Sequence, residues 1–171
     1  MARIYQAYAE AEGAASRLFG KALYMKVEHN GPSIADKAGF RILPSVVAAS
    51  GISMGKLMDA EAKRLGANSE DLAAYHVIDG VEQLIRAGFV YKSRYSNGDQ
   101  KVLPTTKATG LFHMLENPER LSAWMATRRS KAQAQGMDLF KFDANAERVS
   151  KLIEEMLGSK NGAALKDVVR Q

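Results

Sequence analysis

The sequence predicts a mainly α-helical protein that carries one small β-hairpin. In most segments the apolar residues recur every three or four positions, which is the pattern of an amphipathic helix. The period changes to two only over residues 89 to 95, and Asn97-Gly98 follows, a pair that tolerates the positive φ angles of a tight hairpin turn. The 171 residues, 46% of them hydrophobic, are enough for one hydrophobic core with helical additions.

Two helices are predicted at the start of the chain. Residues 2 to 26 form the first, and Asn30-Gly31-Pro32 stops it. Residues 33 to 49 form the second, which Ser50-Gly51 ends. Pro44 lies inside this second helix. Because proline lacks an amide hydrogen, we expect it to kink the helix or divide it in two.

Two further helices lead to the hairpin. The third begins at Ser53 and ends at Gly66. The fourth begins at Ser69, whose hydroxyl we expect to accept hydrogen bonds from the amides of the first turn. Gly88 ends the fourth helix and lets the chain reverse into the first hairpin strand, and a return strand over residues 100 to 103 completes the hairpin.

The rest of the chain is predicted to be helical. Residues 105 to 115 form a short helix, and a longer one begins at Pro118 and closes at Gly136. We expect Asp143 to cap a final helix that Gly158 ends, followed by a frayed helical tail.

The positive charge of the chain is concentrated in one stretch. The net charge is +5, from 24 basic and 19 acidic residues. Residues 1 to 85 carry a net charge of −1, and residues 132 to 171 a net charge of zero. Residues 86 to 131 hold nine basic against three acidic side chains, a net charge of +6. A negatively charged partner should therefore meet this stretch.

Two absences from the sequence bear on its cellular location. There is no cysteine, which excludes disulfides and thiolate metal sites and fits a reducing cytoplasm. No run approaches the roughly 18 apolar residues that span a bilayer, and acidic residues soon interrupt the N-terminal segment. We therefore expect a cytoplasmic protein without a membrane segment.

The titratable residues do not form a pattern typical of catalysis or metal binding. His29, His76 and His113 lie far apart, with no carboxylate at ligand spacing. Glu154-Glu155 point about 100° apart on a helix and cannot share a reacting atom. No glycine-rich phosphate loop follows a strand. We therefore expect no enzymatic activity, no metal and no cofactor.

The order of two helices, a turn and a basic hairpin resembles a known family. The run VEQLIRAGFV at residues 81 to 90, the hairpin over 91 to 102 and the run TTKATGL at residues 105 to 111 resemble the recognition helix, wing and next helix of MarR-type winged helix-turn-helix regulators. The resemblance covers about residues 34 to 115. It implies a winged-helix domain at residues 33 to 117, flanked by helical extensions at 1 to 32 and 118 to 171.

The resemblance also implies a DNA-binding surface. In such regulators the second helix of the pair enters the major groove, and the wing lies on the backbone or in the minor groove. The residues that this would place on DNA are Tyr75, His76 and Gln83 on the helix, and Arg94, Tyr95, Asn97 and Lys101 on the wing. A second basic segment, Arg128, Arg129 and Lys131, is either a further phosphate contact or a solvated helix end.

The predicted recognition helix does not fit this role simply. It carries Glu70, Asp71, Asp79 and Glu82, opposed only by Arg86, and carboxylates that face phosphates are repelled. Either the carboxylates face sideways while other side chains of the helix contact the bases, or the wing and the second basic segment hold the DNA. We favour binding dominated by the wing.

Two hypotheses of function follow. The leading one is a homodimer that binds double-stranded DNA and regulates transcription, or serves the replication or partition of a mobile element. The alternative is a protein-interaction adaptor, in which the acidic helix docks a protein partner. The dimer is inferred from the resemblance and from the apolar stripes of the flanking helices, which must be buried somewhere and could equally pack on the same chain.

Overall fold

The structure is a computed structural model. Its backbone is described for residues 2 to 24, 38 to 93 and 100 to 169, and its side chains for residues 9 to 19, 23 to 24, 39 to 93 and 100 to 158. In chain order the elements are α1 (Ala2–Tyr24), α2 (Ala38–Ala49), β1 (Ile52–Ser53), α3 (Met54–Leu65), α4 (Glu70–Arg86), β2 (Val90–Lys92), β3 (Lys101–Pro104), α5 (Thr106–Glu116), α6 (Pro118–Ala134) and α7 (Leu139–Val169). The protein is mainly helical with a small antiparallel sheet, as the sequence predicts.

The sheet has three strands, one more than the sequence predicts. β3 lies in the centre and pairs antiparallel with both β2 and β1, so the order is β1-β3-β2. Val102 is opposite Lys92 on one side and Ile52 on the other. β1 has only two residues, which is too short for a period-two pattern, so only its pairing with β3 defines it as a strand.

One hydrophobic core joins the helices. α3 packs on α4 and α4 on α2, while α1 packs along α5, and α7 packs against α2 and α1. The largest fully buried side chains come from five of the seven described helices and from Phe89, just before β2. They include Trp124, Phe19, Phe89, Phe112, Phe142, Leu43 and Ile153. Among the described residues, no helix is both long enough and apolar enough to cross a membrane.

Two of the helix starts follow their sequence signals. The Ser53 hydroxyl accepts a hydrogen bond from the Lys56 amide, which caps α3. At the start of α5, the Thr105 hydroxyl accepts from the Ala108 amide and also donates to the carbonyl of Gly88 at 2.7 Å. Thr105 therefore caps one helix and joins the end of the hairpin to the end of α4.

Ser69 is the N-cap residue of α4, as predicted, but the prediction that its hydroxyl accepts hydrogen bonds from the first-turn amides is wrong. Its hydroxyl makes no hydrogen bond to the first-turn amides. It lies instead by the carbonyls of Ala62 and Gly66, to which it donates. The Ala62 carbonyl also accepts from the Gly66 amide, so the Ser69 hydroxyl adds a further hydrogen bond at the end of α3 rather than one at the start of α4.

Pro44 does not divide the second helix. α2 is continuous from Ala38 to Ala49 with Pro44 inside it. The proline ring is buried. The apolar contacts of a buried ring offset the backbone hydrogen bond that proline cannot donate.

The last helix starts earlier and ends later than the sequence predicts. α7 begins at Leu139, and the Asp138 carboxylate accepts a hydrogen bond from the Phe140 amide at 2.9 Å. Asp143 lies inside the helix, so the prediction that it is the cap is wrong. Gly158 also lies inside α7, because it does not adopt the positive φ that would end a helix.

Candidate nucleic-acid and protein interface

The outer side of α4 is exposed over its whole length. Its inner side is buried through Ala73, Val77, Val81 and Leu84, which recur at the spacing of one helix face. We define the α4 face as the exposed side chains opposite them: Asp71, Leu72, Tyr75, Ile78, Asp79 and Gln83. Tyr75 is 67% exposed, Leu72 49% and Ile78 47%.

The α4 face is acidic as well as apolar. Asp71 and Asp79 are both exposed, and Asp79 accepts a hydrogen bond from Gln83 at 3.0 Å. Beside the face, Glu82 is 3.3 Å from the Lys92 ammonium on β2, so the first hairpin strand lies next to α4 and its lysine charge is balanced. Arg86, in the last turn, is the one lysine or arginine of α4, and it lies on this side of the helix.

A buried carboxylate joins α4 to the two helices before it. Glu61 of α3 is only 6% exposed, and one of its oxygens lies 3.1 Å from Arg41 Nη2 of α2 and 3.0 Å from Arg64 Nε. Burial by itself would raise the pKa of Glu61, but the hydrogen bonds and charges of Arg64 and Arg41 hold it below its ordinary value. Glu61 lies four residues after Leu57, so the sequence places it on the buried face without indicating its partners.

His76 faces this cluster. Its Nδ1 is 3.5 Å from the same Glu61 oxygen, and its side chain is 31% exposed. The ring is therefore turned partly towards α3. Its predicted role as a base contact stays a prediction, as does that of Gln83, whose amide group donates to Asp79.

The hairpin brings Lys101 to the surface. Lys101 is exposed at the start of β3, and it is paired with Ser93 through both backbone groups of the lysine. The Ser93 amide donates to the Lys101 carbonyl at 2.9 Å, and the Lys101 amide donates to the Ser93 hydroxyl at 3.1 Å. The other predicted wing residues, Arg94, Tyr95 and Asn97, lie outside the described residues.

Lys107 belongs to the basic stretch but points into the fold. Its ammonium donates to the Ala87 carbonyl at 3.0 Å and lies 5.4 Å from the centre of the Phe89 ring. Burial, together with the charge of Arg17, lowers the pKa of Lys107. This lysine therefore stabilises the end of α4.

The second basic segment is largely engaged within the protein. Arg128 lies 5.9 Å from the centre of the Trp124 ring. Arg129 holds the Asp143 carboxylate with two hydrogen bonds of 3.0 and 3.3 Å. That bidentate contact, and the charge of Arg129, lowers the pKa of Asp143. Lys131 is exposed.

The predicted site residues fall into two separate groups. Tyr75, His76 and Gln83 lie on α4, and Lys101 lies on the hairpin that packs against α4. Arg128, Arg129 and Lys131 lie on α6, which packs mainly on α5 and α7. Within the described part of the chain, no three His, Cys, Asp or Glu side chains are close enough together to hold a metal ion.

Comparisons with known proteins do not assign this chain to a family. No family model, no curated protein and no solved structure matches the chain.

Proposed function

We propose that residues 38 to 104 form a winged helix. The order α2-β1-α3-α4-β2-β3, with the sheet order β1-β3-β2, supports this assignment. In this arrangement α4 is in the position of the recognition helix, and the β2-β3 hairpin is the wing. The contact of β2 with α4, through Lys92 and Glu82, sets the wing beside the α4 face.

We propose that this winged helix binds double-stranded DNA, without catalysis, mainly through the wing. The observation that carries the proposal is the exposed α4 beside a hairpin whose sequence holds three basic side chains and one acidic side chain. Because Asp71 and Asp79 repel phosphates, we assign the contacts with the DNA phosphates to Arg94, Lys101 and Arg86. The proposed cellular role is regulation of transcription, and the second candidate role is replication or partition of a mobile element.

Three phosphate contacts predict a shallow dependence on salt. Each neutralised phosphate contributes about −0.9 to the slope of log affinity against log salt, so three give about −2.7. Between about 50 and 200 mM salt, the affinity for a mixed-sequence duplex should then fall about 40-fold. Fluorescence anisotropy of a labelled duplex measures this slope.

The double variant Arg94→Ala with Lys101→Ala tests the assignment to the wing. One remaining contact leaves a slope of about −0.9, so the loss over the same salt range should shrink to about fourfold. The matched control is Lys141→Ala with Arg148→Ala, which removes the same charge from exposed positions on α7.

Three results would contradict the proposal. The first is no duplex binding at the lowest salt concentration, and the second is a slope that the wing variant leaves unchanged. The third is an equal effect of the α7 control, because the binding would then follow net charge alone.

A further inference from the structure

The largest group of exposed apolar side chains lies on α4. Among the described residues, five large hydrophobic side chains are exposed, and three of them, Leu72, Tyr75 and Ile78, belong to the α4 face. A fourth, Tyr91, is on β2, the strand that packs against α4. Adjacent exposed apolar side chains on one helix are typical of a surface that a partner covers.

The charges around these side chains identify the chemistry of the partner. Glu70 and Asp71 suit the positive end of the helix dipole, but Asp79 lies in the middle of α4, where the dipole gives no such stabilisation. Asp79 accepts a hydrogen bond from the neutral Gln83 amide, and within the described residues no cation forms an ion pair with it. The apolar side chains therefore lie between carboxylates, and the one described basic side chain on this side of α4, Arg86, is in the last turn. The carboxylates repel nucleic acid and anionic lipid alike.

We propose that the α4 face is a docking surface for a basic amphipathic helix of a partner protein. The apolar side of such a helix covers Leu72, Tyr75 and Ile78, and its lysines or arginines meet Asp71 and Asp79. This contact uses other residues than the proposed phosphate contacts, which are Arg94 and Lys101 on the wing and Arg86 in the last turn of α4.

A second copy of this chain fits the face less well. On α6, Arg128 and Arg129 of the basic segment are engaged with their own chain, through Trp124 and Asp143, which leaves Lys131 exposed. Phe140 is the one exposed large hydrophobic side chain among the described residues of α7. The occupant is therefore assigned to a different protein.

A synthetic peptide of about 18 residues tests the proposal. The basic peptide has leucines on one helix face and lysines or arginines beside them, and the matched acidic peptide has a glutamate at each basic position. Binding is measured by fluorescence anisotropy without DNA, so failure of the DNA proposal leaves this assay unaffected. The basic peptide should bind the wild-type protein at least tenfold more tightly than the acidic one.

Two surface variants make the assay specific for α4. Leu72→Ala with Ile78→Ala should weaken binding of the basic peptide about tenfold. Asp71→Lys with Asp79→Lys should reverse the preference, so that this variant binds the acidic peptide more tightly than the basic one. The matched control, Glu154→Lys with Glu155→Lys on α7, should keep the wild-type preference. Circular dichroism melting checks that each variant is folded.

Several outcomes would overturn the proposal. Equal binding of the two peptides, or no effect of the α4 variants, would show that the face does not select a basic helix. Self-association in sedimentation, lost in the Leu72 and Ile78 variant, would identify a second copy as the occupant. Duplex binding that depends on Leu72 and Ile78 would show that the face lies in a DNA groove.

Discussion

Glu61 is the side chain on which α2, α3 and α4 converge. Its carboxylate is buried and lies within 3.5 Å of Arg41, Arg64 and His76. The three helices are therefore held together by one ionised group as well as by apolar contacts. A buried carboxylate keeps its charge only when such partners compensate for the lost water.

This geometry predicts a pH dependence of stability. In the unfolded chain Glu61 titrates near its ordinary pKa of 4.5, and in the folded protein its pKa is lower. Its contribution is therefore complete above pH 4.5 and is lost as the pH falls through the folded value. Glu61→Gln should lower the free energy of unfolding at neutral pH by about 2 kcal/mol, since the partner arginines are partly solvated. As the pH falls below 4.5, the variant should also lose less stability than the wild type.

Urea unfolding of wild type and variant at neutral and acidic pH measures both effects. Glu147→Gln is the matched control, because Glu147 is exposed on α7 and lies 4.0 Å from Lys151. It should leave the free energy of unfolding unchanged. An equal loss in the two variants would show that the Glu61 cluster contributes nothing specific.

The turn between α2 and β1 is fixed by a close approach of the backbone to the sheet. Gly51 has φ +126°, and a Cβ atom there would lie 2.7 Å from Leu103 Cδ2. The sequence marks Ser50-Gly51 as a stop signal for α2, and the structure confirms that the helix ends at Ala49. The contact with Leu103 cannot be inferred from local sequence, because β3 lies about fifty residues later.

Two glycine substitutions should therefore have opposite effects. Gly51→Ala should lower the free energy of unfolding by about 2 kcal/mol, through the positive φ and the contact with Leu103. Gly158→Ala should raise it by about 0.5 to 1 kcal/mol, because the site is an open position inside α7. Thermal and urea unfolding measure both values. A destabilising Gly158→Ala would mean that α7 does end where the sequence predicts.

At the scale of the whole molecule, the structure shows what covers the flanking helices. The apolar side of α1 packs on α5, and that of α7 packs on α2 and α1. Phe19 of α1 is fully buried and meets Phe40 edge-on, with ring centres 6.3 Å apart. The described parts of the helix stripes that suggested a dimer are therefore buried within the chain. The homodimer stays a prediction that rests on the resemblance alone.

A core substitution in α1 should destabilise the molecule as one unit. Phe19→Ala should lower the free energy of unfolding by about 3 to 4 kcal/mol, because it leaves a cavity between α1 and α2. Trp124 in α6 is the single tryptophan, so its fluorescence reports whether a distant helix unfolds in the same transition. Phe140→Ala, at a position 87% exposed, should change stability by less than about 0.5 kcal/mol.

The opposite result is equally informative. If Phe19→Ala leaves the tryptophan transition in place while helical signal is lost at lower urea, α1 unfolds independently of the rest. The flanking helix would then be a separate unit, and the buried α1 stripe would not stabilise the core.

The sequence by itself determined the helical class, the hairpin strands and most helix ends, because amphipathic spacing and glycine stops act over a few residues. The tertiary structure decided the third strand, the partners of Glu61 and the side chains that engage Arg128 and Arg129. It also decided what buries α1 and α7. These contacts join distant parts of the chain, such as the Tyr24 hydroxyl and the Arg128 carbonyl, 104 residues apart. Periodicity shows that a face must be covered, but only the packed chain shows what covers it.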